Sequence, residues 1–426
     1  MTLFDEYRWR GMLHDLTEGT EAAFDSGRQT AYVGFDPTAA SLHVGHLLPI
    51  MGLVHLQRAG HTPIVLVGGG TGLIGDPSGK TEERKLLGRE ESRENAEAVR
   101  GQLEAFLDFD ASENPAAMVN NLDWLGSMDV VTFLRDVGKH FPVNVMLRKE
   151  TVRRRLEDET TGITYTEFSY LLLQSYDFLR LYREQGCRFQ FGGSDQWGNI
   201  TGGIDLIRRV EGAKAYGATF PLITTASGVK FGKTEAGAVW LDPERTSPYR
   251  FYQFWLNTAD DDVGRYLRFF TLLPKEEIEA IDAAHAEAPH RREAQRRLAI
   301  EVTRNVHGEE GLERAERATR VLFGGEALDG LGAEEIGEVF EDVPSSTLDP
   351  ARLQGEGIGI IDLLADTGAV QSRGEARRSI DQGGIYLNNH RVESIEAHVT
   401  SADVVEGRFL VLRKGKRRYH LVVVAE

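Results

Sequence analysis

Tyr32-Val-Gly-Phe-Asp-Pro-Thr-Ala-Ala-Ser-Leu-His-Val-Gly-His46 is the stretch on which the reading of this chain turns. It starts as a short apolar strand and breaks at Asp36-Pro37, because proline fixes φ and donates no N–H. Regular structure resumes near Ser41, and Leu42, Leu47, Leu48, Ile50, Met51 and Leu53 then recur with helical spacing. His43 and His46 are three apart and share a face in the first turn of that helix. Free backbone N–H groups and the helix dipole favour an anion there, and two imidazoles add hydrogen bonds for a phosphate. The alternatives are a pair of surface histidines or half of a metal site. Zinc would want further Cys or His ligands clustered nearby, and none stands out.

Downstream, Pro63–Val67 reads as a second strand running into Gly68-Gly-Gly-Thr-Gly-Leu-Ile-Gly75. Strand, helix, strand at this spacing is a βαβ unit, with its ligand site beyond the carboxyl ends of the strands. Gly70-Thr-Gly-Leu-Ile-Gly75 matches the dinucleotide fingerprint, but Asp76-Pro77 breaks the chain where a helix should open. Gly75-Asp-Pro-Ser-Gly-Lys80-Thr81 is one residue short of a phosphate loop. A glycine-rich strand end that lets backbone approach a ligand accounts for both. A charged helix is expected over residues 82–104, and Asn120-Asn-Leu-Asp-Trp124 resembles a strand end. Val130 to Leu147 is apolar at helical spacing, either core or a subunit contact.

Thr166 to Phe178 is a largely apolar helix along which Tyr170, Gln174 and Asp177 fall on one polar line. Buried polar groups need partners, so this line is either an internal hydrogen-bond network or the lining of a pocket for a small zwitterionic or hydroxylated ligand. Arg188 to Phe191 reads as a strand with Gln190 on its surface. It ends in Gly192-Gly-Ser-Asp195-Gln196-Trp-Gly-Asn199, where Asp195 is placed to accept from a ribose hydroxyl. A helix follows from Thr201, then a strand at Phe220-Pro-Leu-Ile223. Thr224 to Thr234 is a small-residue loop with Lys230 and Lys233 three apart; two ammonium groups there suit a polyphosphate or simply solvent.

The remainder sets the organisation. Residues 246–325 look all-helical, and 326–356 hold nine acidic residues against one basic, with Pro344, Pro350 and repeated glycines, the composition of a linker. A small mixed domain follows over 357–426. The formal net charge is −17, yet from Gln371 onward ten Lys and Arg face seven Asp and Glu, leaving −20 on the other 370 residues. That asymmetry marks a local RNA-binding face on an acidic body. One cysteine, Cys187, allows no internal disulfide, and neither an export signal nor an 18-residue apolar run is present, so a cytoplasmic location without membrane contact is expected.

Together these pieces resemble the bacterial-type tyrosyl-tRNA synthetases, over essentially the full length. His43-Val-Gly-His46 is similar to the His-Ile-Gly-His signature of class I aminoacyl-tRNA synthetases, and Lys230-Phe-Gly-Lys233-Thr234 to their Lys-Met-Ser-Lys-Ser loop. Tyr32 to Thr38, Gly192 to Asn199 and the Tyr170/Gln174/Asp177 helix are more discriminating and point to the tyrosine enzyme. The resemblance implies an α/β fold: a Rossmann-like parallel-sheet catalytic domain (1–245), an all-helical domain (246–325), the acidic linker, and a small α+β RNA-binding domain. It implies that tyrosine is activated by ATP, accompanied by Mg2+ and with no tightly bound cofactor, then transferred to tRNA(Tyr) by a homodimer.

Residue by residue, the resemblance implies that Tyr32 and Asp177 hold the phenol, and that Tyr170, Asp76 and Gln174 hold the ammonium. Gln190 and Gln196 complete the tyrosine site, Gln196 near the carboxylate. Gly34, Asp36 and Thr38 line the nucleotide side, Gly192 and Asp195 the ribose, and His43 and His46 the phosphates. Lys80, Arg84, Lys230, Lys233 and Thr234 grip pyrophosphate, and Arg373, Arg377, Arg378, Lys414, Lys416, Arg417 and Arg418 meet tRNA. Val33 and Pro49 depart from polar residues often found at those positions. Three rivals remain: the tryptophan enzyme, which shares both signatures; a catalytically idle RNA-binding homologue; and a dehydrogenase.

Overall fold

The computed structural model describes residues 2–78, 88–157, 162–226, 228, 231–234, 237–324, 328, 331–341, 343–415 and 418–425. A six-stranded sheet comprises β1 (Asp15–Leu16), β2 (Thr30–Phe35), β3 (Thr62–Val67), β4 (Ala117–Asn120), β5 (Phe189–Gly193) and β6 (Tyr216–Phe220). Its order is β1-β6-β5-β2-β3-β4, parallel throughout except for β1, which runs antiparallel to β6. The apolar run of β3 is buried from Pro63 onward, as a parallel strand covered on both faces should be. From β2 the chain winds outward through β3 and β4, then returns to β5 and winds the other way. The switch point between β2 and β5 leaves a crevice at their carboxyl ends, where open α/β sheets take their ligands.

On one face Tyr32, Ile64 and Leu66 pack against Phe178 and Leu179 of the helix Tyr165–Gln185. That helix opens on a Thr164 capping box and closes at Gly186 in the left-handed region. On the other face Phe189 and Phe191 meet Phe24, and Phe191 also meets Phe4 and Tyr7. The α/β fold read from the sequence is therefore present, and helices Pro248–Leu256, Asp260–Phe270, Lys275–Glu287 and Glu293–Thr319 follow it.

The chain divides into two compact units, Met1–Thr246 with Trp255–Val306, and Ser247–Phe254 with His307–Glu426. In the second, a five-stranded sheet is ordered His390–Arg391, Ile385–Leu387, Phe409–Lys414, Arg418–Val424, Ser345–Leu348. Its last pair is parallel, from Leu421↔Ser345 to Val424↔Leu348. Leu410, Leu412 and Val422 face helices Ile360–Asp366 and Arg373–Asp381, while Val411, Tyr419 and Leu421 face Ile336 and Phe340.

Several local readings change. The strand placed at Phe220–Ile223 lies instead at Tyr216–Phe220, because Pro221 has no N–H to continue the ladder. Gln190 is 2% exposed rather than on a surface, since helices cover both faces of the sheet. Residues 326–356, marked by composition as a linker, carry a helix Ala333–Val339 and the edge strand Ser345–Leu348. There Glu334, Glu341, Asp349 and Glu356 are exposed, while Ile336, Val339 and Phe340 are buried.

Candidate active site

His43 is not inside the helix but caps the short turn that precedes it. Val44–His46 forms a 3-10 turn ahead of the α-helix Leu47–Arg58. The His43 N–H donates to His46 Nδ1 at 3.1 Å, and the Gly45 N–H donates to His43 Nδ1 at 3.1 Å. An imidazole that accepts through Nδ1 carries its proton on Nε2, so both rings are set as Nε2–H donors. The ring centroids lie 4.0 Å apart. Glycine at 45 is a steric requirement, since a Cβ there would sit 2.8 Å from His43 Cε1.

Main-chain pairing brings the second signature alongside the first. Val44 N–H donates to Val239 O at 2.9 Å, Leu241 N–H to Leu42 O at 2.8 Å, and His43 bridges Trp240. Val239 N–H in turn donates to Gly232 O at 3.1 Å. Gly232 has φ 78° and lies against Val44, whose Cγ2 would be 2.6 Å from a Cβ at that position. Lys233 and Thr234 pair with Gly237–Ala238, although their side chains lie outside the described residues. Lys80, Arg84 and Lys230 also lie outside them, as do Lys416 and Arg417.

At the far end of the crevice Asp177 is 1% exposed. Trp124 Nε1–H donates to its Oδ1 at 2.7 Å and Asn121 Nδ2–H to its Oδ2 at 2.9 Å. Burial pushes its pKa up to about 8 against the pull of those two donors, and the Asp36 charge adds to the rise. Tyr32, beside Phe178 at 5.3 Å between ring centroids, is also buried. Its hydroxyl has no hydrogen-bond partner among the described residues, and neither has Gln190 Oε1 on the adjoining strand in register with it. Burial first, and the Asp177 charge second, raise the Tyr32 pKa well above the usual phenol value.

Two further chains of hydrogen bonds run toward the strand ends. Asp36 accepts from Tyr170 Oη at 2.8 Å and from Thr71 Oγ1 at 2.7 Å, and Thr71 Oγ1 accepts from Asn121 Nδ2 at 2.9 Å. Asp76 accepts from Gln196 Nε2 at 2.7 Å, while Gln196 Oε1 accepts from Gln174 at 3.3 Å and Asn199 at 3.1 Å. Asp195 sits in the 3-10 turn Ser194–Gln196 that leads from β5 into the helix Trp197–Glu211. Gly34 lies in β2, and Thr38 N–H donates to Asp36 O at 2.8 Å just past its end. Arg373, Arg377, Arg378, Lys414 and Arg418 all belong to the second compact unit.

Asn121, Trp124 and Thr71 are the participants that sequence reasoning missed. Asn121 and Trp124 flank and enter the one-turn helix Leu122–Leu125, and three-residue spacing of an amide and an indole was the available signal. The G-x-G-x-x-G run proves to be a 3-10 turn, Thr71–Leu73, with Gly70 N–H donating to Asn121 Oδ1 at 2.7 Å. It opens no helix of the dinucleotide kind.

Aligned imidazole donors at one end of a strand-end crevice and a buried carboxylate at the other describe an enzyme that activates a small ligand with a nucleotide. The profile described as tRNA synthetases class I (W and Y) matches residues 25–324, and the chain belongs to that family. Residues 335–422 match the profile of the tyrosine–tRNA ligase SYY-like C-terminal domain. The tyrosine–tRNA ligase of Roseiflexus castenholzii is 56% identical over 421 residues, covering 99% of each chain. That of Geobacillus stearothermophilus is 52% identical over 425 residues, again covering 99% of each. Among solved structures, a C-terminally truncated mitochondrial tyrosyl-tRNA synthetase of Aspergillus nidulans superposes with a TM-score of 0.69 at 31% identity, over 76% of this chain and 94% of that one. The resemblance to the bacterial tyrosine enzymes holds across the whole sequence.

Proposed function

We infer that this chain performs tyrosine–tRNA ligation, a step of translation, by holding tyrosine and ATP across the carboxyl ends of β2 and β5. In the first step a tyrosine carboxylate oxygen attacks the α-phosphorus of ATP. The bond from that phosphorus to the bridging oxygen breaks, and pyrophosphate leaves. In the second a ribose hydroxyl at the tRNA 3′ end attacks the carbonyl carbon of the adenylate and AMP leaves. Neither step requires a covalent link to the protein, so the side chains contribute position and charge.

One observation carries the tyrosine assignment: a buried carboxyl, Asp177, with each oxygen held by one donor, beside the unpartnered Tyr32 hydroxyl. A phenol bridging the two would meet the Tyr32 hydrogen bond that is otherwise lost to burial. Phenylalanine would leave the Tyr32 hydroxyl unpaired and offer Asp177 no third donor, which is the basis of hydroxyl selectivity; tyrosyl-tRNA synthetase is the general example of that effect. An indole puts its single N–H elsewhere. Toward the strand ends, Tyr170, Gln174 and Asp76 offer acceptors for the ammonium, Gln196 and Asp195 lie next to them, and Asp36 lines the nucleotide side. The two Nε2–H groups of His43 and His46 address the phosphates, which arrive as the magnesium complex of ATP. Among the described residues no cluster of three or more His, Cys, Asp or Glu could itself hold a metal ion.

Translation places the reaction in the cytoplasm, and among the described residues no helix is long and apolar enough to cross a membrane. A second copy of the chain is the partner suited to Val130, Val131, Leu134 and Val143, which are 49–68% exposed. Amino-acid-dependent exchange of pyrophosphate into ATP across all twenty amino acids tests the reading. Exchange with tyrosine alone is expected; exchange with tryptophan, or with none, refutes it.

A further inference from the structure

Where the edge strand Ser345–Leu348 stops, the neighbouring strand continues. Pairing begins at Leu421↔Ser345, with Leu421 N–H donating to Pro344 O, so by alternation Tyr419 is the residue whose main-chain groups face that edge with no strand beside them among the described residues. Polar main-chain groups on an open edge are a template for pairing with something else. Here the edge borders a cavity of about 440 Å³, within the ~300–1,000 Å³ span of small-ligand sites. Alternation along the strand points His420 to the same side as Val422 and Leu412, toward the two helices. The inner wall is apolar, built from Leu364, Leu412 and Ala369. His420 supplies a ring, with Nε2 and Ser346 Oγ 2.9 Å apart. Burial holds its pKa below the ordinary histidine value, so it is a neutral imidazole with donor and acceptor positions.

The mouth is cationic. Lys414 and Arg418 line it, and Arg418 is exposed with no carboxylate partner among the described residues; Arg377 and Arg378 are exposed on the helix Arg373–Asp381. By contrast Arg373 pairs with Asp362 and Lys414 with Glu375. An apolar slot with a flat ring, an open stretch of main chain and one unpaired cation, Arg418, at its mouth matches one kind of occupant. Its face is aromatic, its edge carries donors and acceptors, and its tail is anionic.

We propose that this slot receives one unstacked base of the tRNA, held against the His420 ring and the open main chain of Tyr419 with its phosphate at Arg418. The proposal rests on the reading that this part of the chain meets tRNA, and adds that it grips a single-stranded position rather than only the helical backbone.

The test uses the full-length chain and unmodified tRNA(Tyr) transcript, with tyrosine-dependent pyrophosphate exchange normalising for active enzyme. Ala369→Phe fills the slot and His420→Ala removes its ring, and each should raise the KM for tRNA about tenfold, the loss of one base contact. Neither should alter the salt dependence of tRNA binding, whereas Arg418→Ala should lower its slope by about one. Base-specific chemical probing should show one unpaired position protected by the parent chain and reactive with Ala369→Phe. A tRNA KM within twofold of the parent in both slot variants, or no protected unpaired base, overturns the proposal. Arg377→Ala/Arg378→Ala separates the two failures. If it weakens tRNA binding while the slot variants do not, the slot alone is wrong. If it too has no effect, the tRNA face is wrong and the slot falls with it.

Discussion

Replacing Trp124 with Phe keeps a ring in the cluster beside Asp177 and deletes one thing, the indole N–H that donates to Oδ1 at 2.7 Å. A hydrogen bond to a charged group contributes about 1.5–3 kcal/mol, so its loss raises the Asp177 pKa from about 8 by at least roughly one unit. The ionised fraction, which accepts the phenol proton, then falls about tenfold at pH ~6.5 but only about threefold at pH ~8.5, where the parent is already mostly ionised. Tyrosine affinity in Trp124→Phe, measured by equilibrium titration against the parent at each pH, should follow those two ratios. Phenylalanine, which has no hydroxyl to present, should bind both proteins alike. A penalty that does not change with pH, or one that phenylalanine shares, would refute the assignment of Asp177 as the reader of the phenol.

Three other outcomes follow from the same geometry. The Asp177 carboxyl has a folded pKa of about 8 against an ordinary 3.8, so its contribution to stability is present in full below 3.8 and lost as pH rises through about 8. Asp177→Asn should therefore flatten the decline in denaturant midpoint over that window, and an unchanged slope argues against a neutral acid in the ligand-free protein. Gly45→Ala pushes a Cβ into the His43 ring and should slow single-turnover adenylate formation about ten- to a hundredfold with tyrosine affinity intact. Equal losses in both would make the residue merely structural. Lys233→Ala should slow the same step while sparing tyrosine binding, because Gly232 beside Val44 directs that segment to the histidine pair; an unaltered rate counts against it.

The sheet was legible because β2 and β3 write their burial as apolar runs, over Ala31–Val33 and Pro63–Val67, and the Tyr170/Gln174/Asp177 line because helical periodicity is regular. What joins the signatures was not legible. Leu42–Val44 and Val239–Leu241 pair through main-chain atoms some 200 residues apart, and backbone hydrogen bonds leave no residue-type imprint. Asn121 was hidden for a related reason: an asparagine after a strand is the usual mark of a turn, and only the fold shows it turned inward. The edge strand Ser345–Leu348 escaped notice because its exposed positions are polar and it follows a proline.

That asparagine has a consequence for anyone who would retune the pocket to an unnatural amino acid. Its Oδ1 fixes the Gly70 N–H, and its Nδ2 is shared between Thr71, which orients Asp36, and Asp177 at the opposite end. Exchanging the carboxylate for an apolar residue to admit a larger side chain would free the amide to rotate. The cost would then surface at the nucleotide, far from the substitution. Selection for a new side chain should accordingly recover compensating changes at position 121 together with those at 177, even though only 177 faces the novel group.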